Sequence, residues 1–116
     1  MAHNHTEEPR NIARIFKVLS VENRVKIIQM LKREVLCVGA LASRLGISPA
    51  AASQHLRVLR DAELVVSEKR GYYVHYRLNP EMMSEWRDIA DRLLEYEEAE
   101  GTSCCGGENS GEKDEQ

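Results

Sequence analysis

The sequence predicts a mainly helical α+β domain with the element order α-α-α-α-β-β-α. Three observations carry that expectation. Apolar residues recur at helical spacing through most of residues 9–63, where only one face of each segment repeats. The period then changes to alternation between Val65 and Leu78, the mark of half-buried strands. A chain of 116 residues closes one core with little surplus.

The elements follow in order. "PRNIARIFKVLS" places Ile12, Ile15, Phe16 and Leu19 on one stripe, with Pro9 in the first turn, where its missing N–H costs nothing. Ser20 reads as the N-cap of "VENRVKIIQMLKR", with Val21, Val25, Ile28 and Leu31 as the apolar stripe. "VGALASRLG" is a short third helix, closed by Gly46. "SPAAASQHLRVLRDAELV" opens with Ser48 as cap and Pro49 as first helical residue, a strong start signal. Tyr72, Val74, Tyr76 and Leu78 alternate with Tyr73, His75 and Arg77, which predicts a hairpin turning at Arg70-Gly71. "PEMMSEWRDIADRLLEYEEAE" reads as a long last helix with Met83, Trp86, Ile89, Ala90, Leu93 and Leu94 along one stripe.

A short helix, a glycine turn and a capped second helix make a helix-turn-helix, and the basic hairpin after it makes a wing. The first and last helices carry apolar stripes that so small a core cannot cover. A homodimer built on those two helices follows, because an exposed stripe of that size is an association surface. Residues 1–8 are expected to be a flexible N-terminus, 9–100 the winged helix-turn-helix and dimerisation domain, and 101–116 a disordered acidic tail rich in Gly, Ser, Glu and Asn. The polar start and the lack of any long apolar run point to a cytoplasmic protein with no membrane partner.

Charge is polarised along the chain. Residues 1–79 hold 13 Lys/Arg against 7 Asp/Glu, whereas residues 80–116 hold 3 against 12. A basic body raises the expectation of nucleic acid. At 100° per residue, Ala52, Leu56 and Leu59 of the fourth helix fall on one side; Ala50, Ser53, Gln54, Arg57 and Asp61 fall on the other. Small residues near its start let such a helix lie deep in a major groove, where Gln54 pairs with adenine and Arg57 with guanine or phosphate. Ser48 belongs to the same end of the helix, and Lys69 and Arg70 at the wing tip reach a neighbouring backbone or minor groove. His55 projects beside Leu56 and reads as a packed, hydrogen-bonded histidine, as does His75 in the wing. His3 and His5 read as solvated.

The cysteines are few and oddly placed: Cys37, and the adjacent pair Cys104 and Cys105. Adjacent Cα atoms sit about 3.8 Å apart, closer than the roughly 4.4–6.8 Å that disulfides prefer. The pair is suited to staying reduced.

The stretch "LGISPAAASQHLRVLRDAELV" followed by "YYVHYRL", together with "LSVENRVKII", resembles the arsenic-repressor (ArsR/SmtB) family of winged-helix metal sensors. The likeness runs from about Ile12 to Leu94. It implies a homodimeric transcriptional repressor that holds a palindromic operator and lets go when an inducer binds, not an enzyme. Family members that sense arsenic or cadmium through the third helix carry Cys-Val-Cys there. In "LCVGAL" Cys37 matches the first thiol, but Gly39 stands where the second would be. The family's zinc-type site needs histidines on the last helix, which offers Asp88 and Asp91 and no histidine. Glu63 stands where family members usually place a glycine, so the turn into the wing is expected to differ.

Some relatives that respond to trivalent arsenic carry a vicinal cysteine pair at the end of the last helix, and "SCCGG" resembles that arrangement. The resemblance therefore implies that Cys104 and Cys105 ligate a trivalent metalloid (arsenite, antimonite or methylarsenite) as inducer, with no permanently bound cofactor. Soft thiolates favour such centres over Mg, Ca or Mn. Cys37 is either a third ligand or a small buried hydrophobe. A redox or persulfide switch on the same thiols is the competing reading. A thiol enzyme lacks an activating base, because no Lys, Arg or His lies within seven residues of the pair. A winged helix used for protein contacts alone is disfavoured by the Gln54/Arg57 arc and the basic wing.

Overall fold

The computed structural model describes residues 8–105. Its elements are α1 (Pro9–Leu19), α2 (Glu22–Leu31), β1 (Leu36–Cys37), α3 (Val38–Leu45), α4 (Pro49–Asp61), β2 (Val65–Arg70), β3 (Tyr73–Leu78) and α5 (Pro80–Leu94). The predicted winged helix-turn-helix is present, with one added strand. β1 pairs antiparallel with β3, so the sheet has three strands in the order β1-β3-β2. Two residues, Leu36 and Cys37, carry no readable period, and their pairing to Tyr76 and His75 is set from far along the chain.

The core is a single cluster. Ile27, Leu41, Leu56, Leu59, Leu64 and Val65 are almost wholly removed from solvent, joined by Ile15, Leu31, Leu36, Trp86 and Ile89. Each fully buried aliphatic side chain contributes about 1.5–3 kcal/mol. In α2 the buried face is Ile27, Ile28 and Leu31, while Val25 stays exposed; the expected stripe was turned partly toward solvent. Ser20 does not cap α2. Its hydroxyl donates to the Lys17 carbonyl at 2.8 Å, and Val21 occupies the N-cap position with no side-chain cap. The serine closes the end of α1 instead.

Two helix ends are fixed in the same way. Gly46 sits at φ 71° after α3, with Gly46 N–H donating to the Ser43 carbonyl at 3.3 Å and Ile47 N–H to the Ala42 carbonyl at 3.1 Å, a Schellman pair. After α4 the left-handed position falls on Glu63, at φ 65°. Glu63 N–H donates to the Arg60 carbonyl at 2.8 Å and Leu64 N–H to the Leu59 carbonyl at 3.0 Å. The helix closes as a glycine would close it, with a residue for which that conformation costs about 1–2 kcal/mol. The expected change in the turn is absent. Asn79 helps hold it: its Nδ2 donates to the Glu63 carbonyl at 2.9 Å and its N–H to the Leu64 carbonyl at 2.8 Å. The Asn79 Oδ1 meanwhile caps α5, accepting from Glu81 and Met82 N–H.

The hairpin turns one residue later than expected. Arg70 pairs with Tyr73, leaving Gly71 and Tyr72 as the loop. Gly71 lies at φ 65° and Tyr72 is not left-handed, the pattern of a two-residue turn with glycine first. α5 ends at Leu94, six residues short of the expected Glu100. Glu95, Glu97, Glu98 and Glu100 would crowd the negative end of the helix dipole, and no described residue covers them: residues 91–105 are all exposed. Along α1 and α5, Phe16, Leu93 and Leu94 are exposed, beside an apolar groove of about 200 Å³ lined by Ile15, Phe16, Leu19, Met83, Trp86 and Ala90.

Candidate nucleic-acid interface and thiol groups

α4 is presented as the sequence predicts. Ser48 Oγ accepts from Ala51 N–H at 3.0 Å, which starts the helix and leaves the serine hydroxyl proton free to donate. Ala52, Leu56 and Leu59 are buried to 1 % exposure or less, so the opposite face is held outward. Ala50, Ser53, Gln54 and Arg57 are all exposed. Among the described residues, Gln54 and Arg57 make no side-chain hydrogen bond or ion pair, so their donors are available to a ligand. A rigid helix with unspent polar groups suits base edges in a groove.

His55 links this helix to α2. Arg24 Nε donates to His55 Nδ1 at 3.4 Å, and Arg24 Nη1 donates to the Val18 carbonyl at 3.1 Å. Burial, and then the Arg24 charge, push the imidazole below its ordinary pKa, so it accepts as a neutral ring. This is the packed, hydrogen-bonded role expected of it. His75 differs. It is half-buried, but its Nδ1 is buried without a hydrogen-bond partner, which corrects the expected bond. It lies directly opposite Cys37 on one side and Glu68 on the other.

The wing holds a feature the sequence reading missed. Glu68 Oε2 accepts from Arg70 Nη2 at 2.6 Å and Arg70 Nε at 3.1 Å, and Glu68 Oε1 accepts from Arg77 Nε at 3.2 Å. The hydrogen bonds from Arg70 and then Arg77 hold its carboxyl below the usual carboxylate range. Arg70 is thus already engaged, whereas Lys69 is exposed with no partner among the described residues. The tip itself is aromatic: Tyr72 is 97 % exposed and Tyr73 65 %. An acid two residues before an arginine on one strand face is the signal that was available.

The thiols are not brought together. Cys37 ends β1 and stands at the N-cap of α3, half-buried, rather than inside the helix. Cys104 and Cys105 are exposed in a stretch after α5 with neither helix nor strand. Among the described residues no three His, Cys, Asp or Glu side chains are placed to hold a metal ion. Asp88 and Asp91 are exposed on α5, and Asp91 lies 3.9 Å from Arg87. His3, His5 and the tail beyond Cys105 lie outside the described residues. No helix among those described is long and apolar enough to cross a membrane.

Residues 22–67 match the model of the arsR family of bacterial regulatory proteins. A transcriptional repressor SmtB homolog from Synechocystis is 33% identical over 77% of this chain and 68% of its own length. The arsenical resistance operon repressor of Escherichia coli is 35% identical over 72% of this chain and 73% of its own. A crystal structure of a possible transcriptional regulator for arsenical resistance superposes with TM-score 0.66 at 33% identity, over 71% of this chain and 85% of the other. The homodimeric winged helix-turn-helix DNA-binding domain of a possible ArsR-family regulator from Mycobacterium bovis gives TM-score 0.59 at 26% identity, over 78% and 87%. Reduced HlyU from Vibrio cholerae gives 0.59 at 35%, over 77% and 97%.

Proposed function

Because this chain belongs to the ArsR family of bacterial regulatory proteins, we propose that it is a homodimeric repressor released from its operator when Cys104 and Cys105 bind a trivalent metalloid. α4 enters the major groove with Ser48, Ala50, Ser53, Gln54 and Arg57, and the wing follows the backbone with Lys69 and, once it is freed, Arg70. The dimer forms through α1 and α5, where Phe16, Leu93 and Leu94 and the adjoining groove offer apolar surface. A two-fold dimer matches a palindrome with half-sites about one helical turn apart.

The observation that carries the inducer half is the exposed vicinal thiol pair. Two adjacent sulfurs chelate one thiophilic centre with little loop entropy to lose, and a methylated arsenical with one position blocked needs only two. Inorganic arsenite prefers three. Cys37 supplies the third in this reading: with α5 ending at Leu94, the irregular segment from Glu95 to Cys104 reaches about 30 Å at full extension. Ligation then orders the tail against the last helix or the partner and biases the dimer away from the operator spacing.

One observation favours a second reading. Similarity to the solved structure of reduced HlyU, together with three free thiols, fits a redox switch in which a hydroperoxide joins two thiols as an intersubunit disulfide and leaves as alcohol and water. Fluorescence anisotropy on the protein's own promoter duplex separates the two. Under strict reduction, arsenite, antimonite or methylarsenite releases DNA, zinc does not, and Cys104→Ser/Cys105→Ser binds DNA but is not induced. Induction retained in that double variant ends the proposal, and release by oxidant alone selects the redox switch.

A further inference from the structure

The wing carries three cations, Lys69, Arg70 and Arg77, and one carboxylate, Glu68. That carboxylate is placed to meet two of the three. Glu68 lies opposite His75, and Arg77 stands two residues along β3 on the same face. Arg70 stands two residues along β2. Both carboxylate oxygens are used, Oε2 by two nitrogens of Arg70 and Oε1 by Arg77. Arg77 Nη1 is additionally turned to the Leu78 carbonyl at 3.4 Å. The side chains remain substantially exposed, at 36% for Glu68, 55% for Arg70 and 45% for Arg77. Pairs this open to water add little to fold stability, so the arrangement bears on what the wing binds.

We infer that Glu68 is an affinity-setting residue of the DNA interface: its carboxylate occupies the place of a DNA phosphate on Arg70 and Arg77 and must be displaced before either arginine can grip the duplex. The inference rests on the reading that this domain binds duplex DNA. A guanidinium fork matches carboxylate and phosphate alike, so the exchange replaces one charge-assisted pair by another and gains little. The displaced carboxylate is then left near the phosphates as an uncompensated negative charge. In the free protein Lys69 is the wing cation without an internal partner among the described residues. Phosphate contacts carry no sequence information, so Glu68 lowers affinity for every duplex alike and increases the share of discrimination that falls to α4.

Glu68→Gln tests this, with anisotropy titrations on a promoter duplex and a scrambled duplex across a range of salt. The variant is expected to bind both more tightly, by roughly an order of magnitude at 0.1 M salt, and its log affinity to fall more steeply with log salt by about 1.8 if each of two wings gains one phosphate. Unchanged affinity and slope overturn the inference. Arg70→Gln in the otherwise native protein is the second test and does not depend on the first variant folding. Its cost to affinity is expected to be several-fold larger in Glu68→Gln than in the native background, where the carboxylate already offsets the arginine. An equal loss in both backgrounds overturns the inference. Equal wild-type affinity for the two duplexes counts instead against the repressor reading and leaves the Glu68 comparison intact.

Discussion

The recognition helix and the wing both face outward with basic and polar groups, yet they hold them in opposite states. On α4 the buried Ala52, Leu56 and Leu59 lock the helix, and Gln54 and Arg57 have no internal partner among the described residues. In the wing, the main chain is held by a regular hairpin ladder, but two of three cations are taken by Glu68. Counting charges would rank the wing above the helix as a DNA contact. Counting available charges reverses the order. An exposed arginine contributes to binding only what remains after its present partner has been given up.

The largest effect comes from breaking the platform under the helix. Leu59→Ala leaves a cavity below α4 and is expected to cost about 2–5 kcal/mol of stability, read by urea unfolding. A loss near zero would mean that α4 is not held from beneath. Next, Arg57→Ala is expected to weaken promoter binding by about 1–3 kcal/mol with no change in melting temperature. Arg70→Ala should lose far less in the same titration, and equal losses would erase the contrast between the two regions.

Glu63→Gly acts on the joint between them. The left-handed position is kept and its strain relieved, so stability should rise by about 0.5–1 kcal/mol net of the greater freedom of glycine in the unfolded chain. A lower melting temperature would show that the Glu63 side chain holds the turn.

The smallest effect is pH-dependent. His55 has its pKa lowered by burial and by Arg24, so the unfolded chain binds the proton more readily than the folded one. The stability linked to it is complete above the unfolded value near 6.5 and is lost as pH falls from there toward the lower folded value. His55→Gln should flatten that part of the stability–pH curve, and an unchanged curve would remove His55 as its source.

Much of this was legible from one sequence because it is local. Pro49 behind Ser48 and Gly46 behind Leu45 mark helix ends within a few residues. The alternation from Tyr72 to Leu78 marks a strand by its own period. Where local signals competed, the reading slipped: Ser20 gives its hydroxyl to the Lys17 carbonyl of α1 and leaves α2 without a side-chain cap, and α2 rotated to bury Ile27 rather than Val25.

Sequence alone determined the helix-turn-helix, the wing, the outward face of α4 and the isolation of two cysteines beyond the last helix, because periodicity and turn chemistry are written in adjacent residues. Tertiary structure decided that Leu36–Cys37 is a strand, that His75 lies between Cys37 and Glu68, and that Arg70 and Arg77 share one carboxylate. Those are pairings across a sheet. They follow from register between segments up to about forty residues apart, and register is fixed by which residues the common core accepts, a quantity no single segment contains.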